Sequence, residues 1–244
     1  MSLSVQQPEA FEHRTLDAPA ERTARMAAIV GEAMPSAAAA VLDLGCGTGR
    51  LARAVAAAYP RASVLGVDIS AGNIDLAKRE TALDGSPAIF ERADYLSFGG
   101  GPFDVIVSDG VLHLIPADTR ALFAKVSRDL RPGGVFVCCM PYDCAYNRTF
   151  AIVRRAMRAC RGPWLDAAIL GFARVLHGRR MTTDALRERV PYMYLPPLRT
   201  MTAELRDCLA PSVGLRPVGT QPMASTSLSQ LRHNVTIFRK DTTT

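Results

Sequence analysis

Three alternating glycines end the segment Val41-Leu-Asp-Leu-Gly-Cys-Gly-Thr-Gly-Arg50. An apolar run precedes them, and a run of residues that favours a helix follows. Glycine has no side chain, so Gly45, Gly47 and Gly49 let a ligand approach the backbone closely. The helix predicted to follow, over roughly residues 50–58, directs its N-terminal amides at this turn, which favours an anionic group such as a carboxylate. The pattern predicts a binding loop for a small, partly anionic ligand.

A carboxylate ends the next predicted strand, Val64-Leu-Gly-Val-Asp68. In α/β folds an acid at this position accepts hydrogen bonds from two ribose hydroxyls, which indicates a ligand with an unphosphorylated ribose. The loop reads Asp43-x-Gly45-x-Gly47-x-Gly49, whereas dinucleotide-binding dehydrogenases carry G-x-G-x-x-G. The dehydrogenase pattern therefore fits this chain poorly.

Taken together, Val41 to Arg50 and Gly66-Val-Asp-Ile-Ser70 resemble the cofactor half of the class I methyltransferases that depend on S-adenosylmethionine. Three later motifs continue the resemblance in the same order: Phe90-Glu-Arg-Ala-Asp94-Tyr95, Phe103-Asp-Val-Ile-Val-Ser-Asp-Gly-Val-Leu-His113 and Leu130-Arg-Pro-Gly-Gly134-Val-Phe-Val. The resemblance is strong over residues 37–141, moderate near the C-terminus and silent over residues 142–200. It implies S-adenosyl-L-methionine as the cofactor.

The resemblance and the alternation of strand and helix patterns predict an α/β fold. We expect a Rossmann-like, doubly wound, mostly parallel seven-stranded sheet with an antiparallel last strand and an inserted helical lid. The expected divisions are an N-terminal helical cap (1–36), a cofactor-binding core (37–141), the lid (142–200) and a C-terminal helix with the closing hairpin of the core (201–244).

In this family the acid at the end of the first strand orders the glycine loop and reaches the methionine ammonium, a role that the resemblance assigns to Asp43. A buried structural acid is the alternative for this residue. By the same resemblance Asp68 accepts hydrogen bonds from the ribose hydroxyls.

The resemblance also implies that the Asp94 carboxylate accepts a hydrogen bond from the adenine amino group, beside the Tyr95 backbone. A solvated loop acid is the alternative for Asp94. Asp109 and Gly110 match the position that contacts the methionine part, although Asp109 replaces the more usual small or amide residue. The expected cofactor-binding residues are Asp43, Gly45, Cys46, Gly47, Gly49, Asp68, Ile69, Asp94, Tyr95, Asp109 and Gly110.

His113 is the one titratable residue that the resemblance places near the reactive methyl group. An imidazole with a pKa near 6.5 can accept a proton from the nucleophile, so His113 is the candidate catalytic residue. The same histidine is structural in many relatives, and that alternative stays open. The expected substrate-binding residues, chosen as aromatic or polar side chains in or near the lid, are His113, Tyr142, Tyr146, Trp164 and Tyr192.

Charge is concentrated in the predicted lid. Residues 148–189 contain ten arginines and three acidic residues, a net charge of about +7 in a chain whose net charge is +6. Such a segment could steer an anionic substrate, contact an acidic lipid surface or form a solvated helix face. The sequence leaves these three interpretations open.

The composition of the 244-residue chain, 48% hydrophobic, predicts one domain with an insertion. Neither a transmembrane run nor an apolar signal core is visible, so we expect a soluble, cytoplasmic protein. The six cysteines form no C-x-x-C pair and suggest no metal site. The oligomeric state cannot be read from the sequence.

These patterns predict a methyltransferase acting on an oxygen, nitrogen or carbon atom of a small molecule, with natural-product biosynthesis as one setting. An anionic or aromatic acceptor suits the arginines and aromatic residues, and no nucleic-acid partner is expected. A macromolecular (RNA or protein) methyltransferase is one alternative, although no Asn-Pro-Pro-Tyr-type motif follows the fourth predicted strand. The other is a non-catalytic S-adenosylmethionine-binding protein that recruits an acidic partner.

Overall fold

A computed structural model describes residues 19–179, 182–223 and 230–242 of the chain. Most of the predicted N-terminal cap before the first helix lies outside the described residues. Strands of these ranges are β1 (Ala40–Leu44), β2 (Ser63–Asp68), β3 (Ile89–Arg92), β4 (Phe103–Asp109), β5 (Leu130–Pro141), β6 (Leu215–Met223) and β7 (His233–Lys240). Helices are α1 (Ala20–Ala33), α2 (Arg50–Ala58), α3 (Ala71–Asp84), α4 (Thr119–Asp129), α5 (Ala145–Ala159), α6 (Pro163–His177) and α7 (Thr183–Arg189).

Within the described residues the seven strands form one sheet in the order β3-β2-β1-β4-β5-β7-β6. The first five strands run parallel, β7 pairs antiparallel with β5, and β6 pairs antiparallel with β7. The predicted Rossmann-like sheet with an antiparallel last strand is therefore confirmed. Because parallel strands end at one edge, Asp43, Asp68 and Asp109 come to the same edge of the sheet.

Both faces of the sheet are covered. Alternation along β1 sends Val41 into a core with Met26, Val30 and Val55, on the side of α1 and α2. Leu42, the next residue, enters the opposite core, which is built around α4. There the rings of Phe123, Phe136 and Phe238 pack with centroids 6.0 Å apart. These two cores hold the edge that carries the acids.

Side-chain caps begin two of the helices that cover the sheet. The Ser70 hydroxyl accepts a hydrogen bond from the Asn73 amide (3.2 Å) at the start of α3. Asp118 accepts one from the Ala121 amide (2.9 Å) at the start of α4. Such caps satisfy amides that have no partner within the helix, so the local sequence determines where each helix begins.

The C-terminal helix predicted from Met201 to Leu209 differs in the structure. Residues Leu205–Leu209 form a π-helical turn, in which the Ala210 amide donates to the Leu205 carbonyl at 2.9 Å. Pro211 follows immediately and has no amide hydrogen to continue the ladder, which accounts for the irregular end.

Residues 142–200 contain α5, α6 and α7 and a short 3-10 segment, Val190–Tyr194. The first helix of this region, α5, begins at Ala145, earlier than the start at Phe150 that the sequence pattern predicts. The pattern also predicts an apolar stripe through Leu165, Ile169, Phe172 and Leu176, and these residues lie on α6, but this helix has no buried residue. Among the described residues, no helix has both the length and the apolar character needed to cross a bilayer.

Candidate functional site

The loop between β1 and α2 is held by the neighbouring strand. The amides of Gly45 and Cys46 both donate to the Val67 carbonyl at the end of β2, at 2.8 and 3.0 Å. Gly45, Gly47 and Gly49 all have positive φ angles, of 71°, 54° and 77°. These backbone conformations favour glycine and turn the chain sharply into α2.

Two of these glycines differ in what surrounds them. A Cβ atom at Gly49 would lie 2.5 Å from the Phe90 ring, so the absence of a side chain lets the loop pack against β3. A Cβ atom at Gly47 would meet nothing within 4 Å. Gly47 therefore borders open space at the mouth of the loop, where a ligand can approach the backbone.

Asp43 lies under this loop and is almost completely buried. Its Oδ2 atom has no hydrogen-bond partner among the described residues. Burial, together with the negative charges of Asp109 and Asp68, raises the pKa of Asp43 to about 8, while a hydrogen bond from the Ala52 amide lowers it. A buried acceptor without a partner suits a cationic donor such as an ammonium group.

Asp68 is held by the backbone on both sides of its carboxylate. Oδ2 accepts from the Gly47 amide at 2.9 Å and Oδ1 from the Ser70 amide at 2.8 Å. Burial raises the pKa of Asp68, and these two amides oppose that shift. Each oxygen retains further acceptor capacity, so a fixed pair of acceptors is available for two hydroxyl groups.

Asp94 lies beside Asp68 because the Ala93 amide donates to the Asp68 carbonyl at 3.0 Å. The Asp94 side chain is exposed, and its Oδ1 accepts from the Leu96 amide at 3.0 Å. Tyr95 is buried, with the Lys125 ammonium 4.7 Å from its ring centroid. The structure thus brings the Asp94 carboxylate to the sheet edge and directs Tyr95 into the core.

The remaining expected cofactor residues flank these acids. Ile69, which follows Asp68, is 37% exposed, and Cys46 is buried as part of the apolar core. Gly110 has a φ of 76° and, like Gly47, has nothing within 4 Å of a Cβ position. Open space above two glycines and an acceptor without a partner fit the shape and charge of an amino-acid nucleoside.

Asp109 forms an ion pair that the sequence analysis missed. Arg22, on α1, donates to both Asp109 oxygens, with the Nε to Oδ2 distance at 3.3 Å. Its Nη2 also lies 3.2 Å from Cys139 Sγ. Burial lowers the pKa of Arg22, but the charge and hydrogen bonds of Asp109 raise it overall. Arg22 precedes Met26 by four residues, so the two share the apolar face of α1. An arginine on a face that is otherwise apolar is the feature of the sequence that could have predicted this ion pair.

His113 is buried in a 3-10 turn after β4, and its Nδ1 has no partner among the described residues. Its ring centroid is 5.7 Å from that of His233, at the start of β7. Burial lowers the pKa of His113 well below its usual value, and the charges of His233, Arg154, Arg199 and Arg22 act in the same direction. His113 is therefore neutral near pH 7.

His233 was also missed by the sequence analysis. Its Nδ1 lies 2.8 Å from the Leu231 carbonyl, which can only accept, so Nδ1 carries the hydrogen. Burial and the charge of Arg22 lower the pKa of His233 to about 4. The two neutral imidazoles lie where the ends of β4 and β5 meet the start of β7.

Arg154, on α5, is a half-buried cation whose charge acts on both histidines. Its Nη1 donates to the Leu195 carbonyl at 2.9 Å, whereas its buried Nε has no partner. No acidic side chain of the described residues pairs with it, and burial lowers its pKa to about 10. Its guanidinium lies 4.8 Å from the Phe150 ring centroid.

Of the expected substrate-binding residues, the structure brings Tyr142 to a cavity beside His233 and Tyr146 to Arg232. Tyr146 stacks on Phe150 with centroids 5.7 Å apart, and the Arg232 guanidinium lies 4.7 Å from the Tyr146 centroid. Tyr142 lines a cavity of about 210 Å³ with Arg232 and His233. Asn147 joins this group, donating to the carbonyls of Tyr142 (2.7 Å) and Arg232 (2.8 Å).

Trp164 and Tyr192 lie elsewhere in the helical segment. Trp164 is exposed on α6, and Tyr192 is half-buried in the 3-10 segment. A second cavity, of about 330 Å³, lies within this segment and is lined by residues of α6, α7 and their flanks: Arg161, Asp166, Ala167, Leu170, Arg187, Val190 and Pro191. This cavity contains none of the expected site residues.

Residues 41–134 match the family model described as a methyltransferase domain. No curated protein matches the chain significantly. Among solved structures, one concerns the conversion of a disulfide bond into a thioacetal group during echinomycin biosynthesis; it is 24% identical with a TM-score of 0.58, and the match covers 91% of this chain and 82% of that one.

Two further structures show the same fold. A candidate O-methyltransferase from Nostoc punctiforme is 18% identical with a TM-score of 0.61, over 98% of this chain and 62% of that one. PKMT2 from Rickettsia typhi, in complex with AdoHcy, is 17% identical with a TM-score of 0.59, over 96% of this chain and 54% of that one.

Proposed function

We propose a small, anionic or aromatic acceptor for this chain, which is a class I S-adenosylmethionine-dependent methyltransferase. The family, the enzyme class and the cofactor are those that the sequence motifs predict. The acceptor atom is an oxygen, nitrogen or carbon nucleophile. The observation that carries the proposal is Arg154, a half-buried guanidinium whose Nε is fully buried and which has no acidic partner among the described residues.

A buried cation is costly unless an opposite charge or hydrogen bonds compensate it. At Arg154 the Leu195 carbonyl compensates only in part, because a carbonyl brings no charge and Nε stays without a partner. A carboxylate, phenolate or similar anion would provide both the charge and the second acceptor. Arg154 is therefore proposed as the residue that selects an anionic acceptor.

Two observations support a position of this cation near the proposed site of methyl transfer. The charge of Arg154 lowers the pKa of both His113 and His233, and the charge of Arg22 does the same. Arg154 also covers Phe150, which stacks on Tyr146. A planar ring bearing a negative group would find apolar faces and cations together here.

The cofactor supplies a methyl group that is already activated on a sulfonium. Asp43 is proposed to hold its ammonium, Asp68 its ribose hydroxyls and Asp94 its adenine amino group. With the methyl group so activated, the chain has chiefly to align the acceptor and exclude water. The burial of His113 and Asp43 fits such a dry site.

His113 is proposed to take the proton that the acceptor loses. Its imidazole is neutral near pH 7, so it can accept a proton without first losing one. The low pKa also means that it releases this proton readily. The structure concerned with echinomycin biosynthesis supports a small-molecule acceptor, since it places the same fold in the chemistry of a natural product.

The test begins with calorimetric titration of S-adenosylmethionine and its demethylated product, followed by an acceptor screen with matched pairs of aromatic acids and their neutral methyl esters. The wild-type chain should methylate acids in preference to the esters. Arg154→Met should lose that preference through a raised KM for the acids, while cofactor affinity is unchanged.

Arg155→Met is the matched control, because Arg155 is the exposed neighbour on the same helix. Retention of the acid preference in Arg154→Met would contradict the role of Arg154. Turnover of proteins or RNA, with none of the small acceptors, would favour the macromolecular alternative.

A further inference from the structure

Helix α6 exposes large apolar side chains that a globular domain would ordinarily bury. Trp164 and Phe172 are each 67% exposed, Val175 is 84% exposed and Leu176 is 50% exposed. None of the fifteen residues of α6 is buried. The spacing of eight, eleven and twelve residues from Trp164 places these side chains on one side of the helix. We refer to Trp164, Phe172, Val175 and Leu176 as the α6 apolar face.

Arginines without ion pairs accompany this face. Arg174 lies on α6 beside Val175, and Arg179 follows the end of the helix. Neither arginine forms an ion pair within the described part of the chain. The surface therefore combines apolar area with uncompensated positive charge.

Three acids of this region whose side chains the structure describes have other partners. Asp143 pairs with Arg148 and Asp184 with Arg187, each within its own stretch of chain. Asp166 accepts a hydrogen bond from the Tyr194 hydroxyl at 2.5 Å. The net charge of residues 148–189 is about +7, so this segment produces a positive electrostatic potential at its surface.

We propose that the α6 apolar face binds the surface of a membrane containing anionic lipids. A helix with aromatic and aliphatic residues on one side and arginines beside them lies in the plane of the lipid headgroups. Tryptophan is enriched at this boundary, because its ring is apolar and its N–H is polar. Arginines that flank such a face reach lipid phosphates while their aliphatic stems remain with the acyl chains.

Charge decides between a membrane and a second copy of the chain. Two copies that met through α6 would bring two segments of about +7 together, and their repulsion opposes association. An anionic lipid surface is instead attracted by the same charge. The fifteen residues of α6 extend for about 22 Å, which is enough to lie along the surface over several headgroups.

Trp164 makes this proposal directly measurable, because it is the one tryptophan in the sequence. We would add vesicles of phosphatidylcholine, with or without phosphatidylserine, to the full chain and record tryptophan emission together with flotation of the protein. Phosphatidylserine vesicles should shift the emission to shorter wavelength and carry the protein with them. High salt should weaken both effects, because screening reduces attraction between charges at a surface.

Val175→Asp places a carboxylate on the α6 apolar face and should abolish both the shift and flotation. Leu83→Asp is the matched control, because Leu83 is 83% exposed on α3 and lies outside this face. It should bind vesicles like the wild type. Unchanged affinity for S-adenosylmethionine in both variants shows that each is folded, and this readout is independent of the acceptor.

Several outcomes would overturn the proposal. These are an unchanged emission spectrum with phosphatidylserine vesicles, equal binding to pure phosphatidylcholine, or full binding by Val175→Asp. A shift that grows with protein concentration in the absence of lipid would instead identify a second copy of the chain on this face.

Discussion

Residues 41–134 and residues 142–200 differ in how their polar side chains are held. In the first region Asp68 accepts hydrogen bonds from two backbone amides, and two amides of the glycine loop donate hydrogen bonds to the Val67 carbonyl. In the second region α6 buries none of its residues, and exposed ion pairs such as Arg187 with Asp184 are local in sequence. The cofactor side is a connected core, whereas the helical segment is largely surface.

This difference explains why one region carries a recognisable motif and the other does not. A loop that must turn sharply and offer backbone amides can use few residue types, so Gly45, Gly47 and Gly49 are strongly constrained. Exposed helices accept many sequences of the same periodicity. The specificity that we propose for the acceptor therefore depends on individual side chains such as Arg154, which no local motif identifies.

The largest effect is expected from Asp68→Ala, which removes both acceptors proposed for the ribose. Loss of two hydrogen bonds to a charged group corresponds to about a thousandfold weaker binding of S-adenosylmethionine. Titration calorimetry measures this directly. The control is Asp75→Ala, an exposed acid on α3, which should bind like the wild type. Equal affinities of the two variants would contradict the proposed cofactor site.

His113→Gln tests whether the neutral imidazole takes a proton. General-base contributions predict a kcat roughly a hundredfold lower, with cofactor affinity maintained. Because the pKa of His113 lies well below 6.5, the wild-type kcat should show no loss of activity near pH 6.5 from this group. An unchanged kcat in the variant would make His113 structural.

A matched pair of glycine substitutions separates packing from ligand approach. Gly49→Ala directs a methyl group into the Phe90 ring and places alanine in a left-handed backbone conformation. The free energy of unfolding should therefore fall by about 2 kcal/mol. Gly47→Ala carries similar strain but meets no neighbour, so it should destabilise less while weakening cofactor binding more. Denaturant melts and calorimetry of both variants measure the two effects. If Gly47→Ala instead destabilised the protein more and weakened cofactor binding less than Gly49→Ala, the ligand would approach the loop at Gly49.

The smallest effect is a pH dependence of stability that comes from Asp43. Its pKa is about 8 in the folded chain and near 3.8 when unfolded, so the folded state binds more protons between these values. The unliganded protein should therefore lose stability as the pH rises towards 8. His113 and His233, whose pKa values are lowered on folding, have the opposite effect only below about pH 6.5.

Thermal melts from pH 6.5 to 8 isolate this contribution. The melting temperature of the wild type should fall across this interval more than that of Asp43→Asn. Parallel curves for the two proteins would show that Asp43 is already ionised in the folded chain.

The sequence predicted the parallel sheet of the cofactor half and the acids at its strand ends, because glycines, acids and apolar runs follow one another there at spacings that the fold requires. The roles assigned to Asp43, Asp68 and Asp94 remain predictions, now with a geometry that can be tested. Arg22, Arg154 and His233 were missed, since each reaches the site from an element distant in the sequence from the motifs. The exposure of α6 could not be predicted from the sequence either, because a buried helix has apolar residues at the same spacing.

The sequence by itself determined the glycine loop, the family and the cofactor, since these depend on local backbone geometry and on which residue ends each strand. Only the tertiary structure decided which charges meet. It paired Arg22 with Asp109, left the half-buried Arg154 without an acid among the described residues and turned the α6 apolar face outwards. Such pairings join residues far apart in the chain, and their energies depend on burial and distance, which no local spacing specifies.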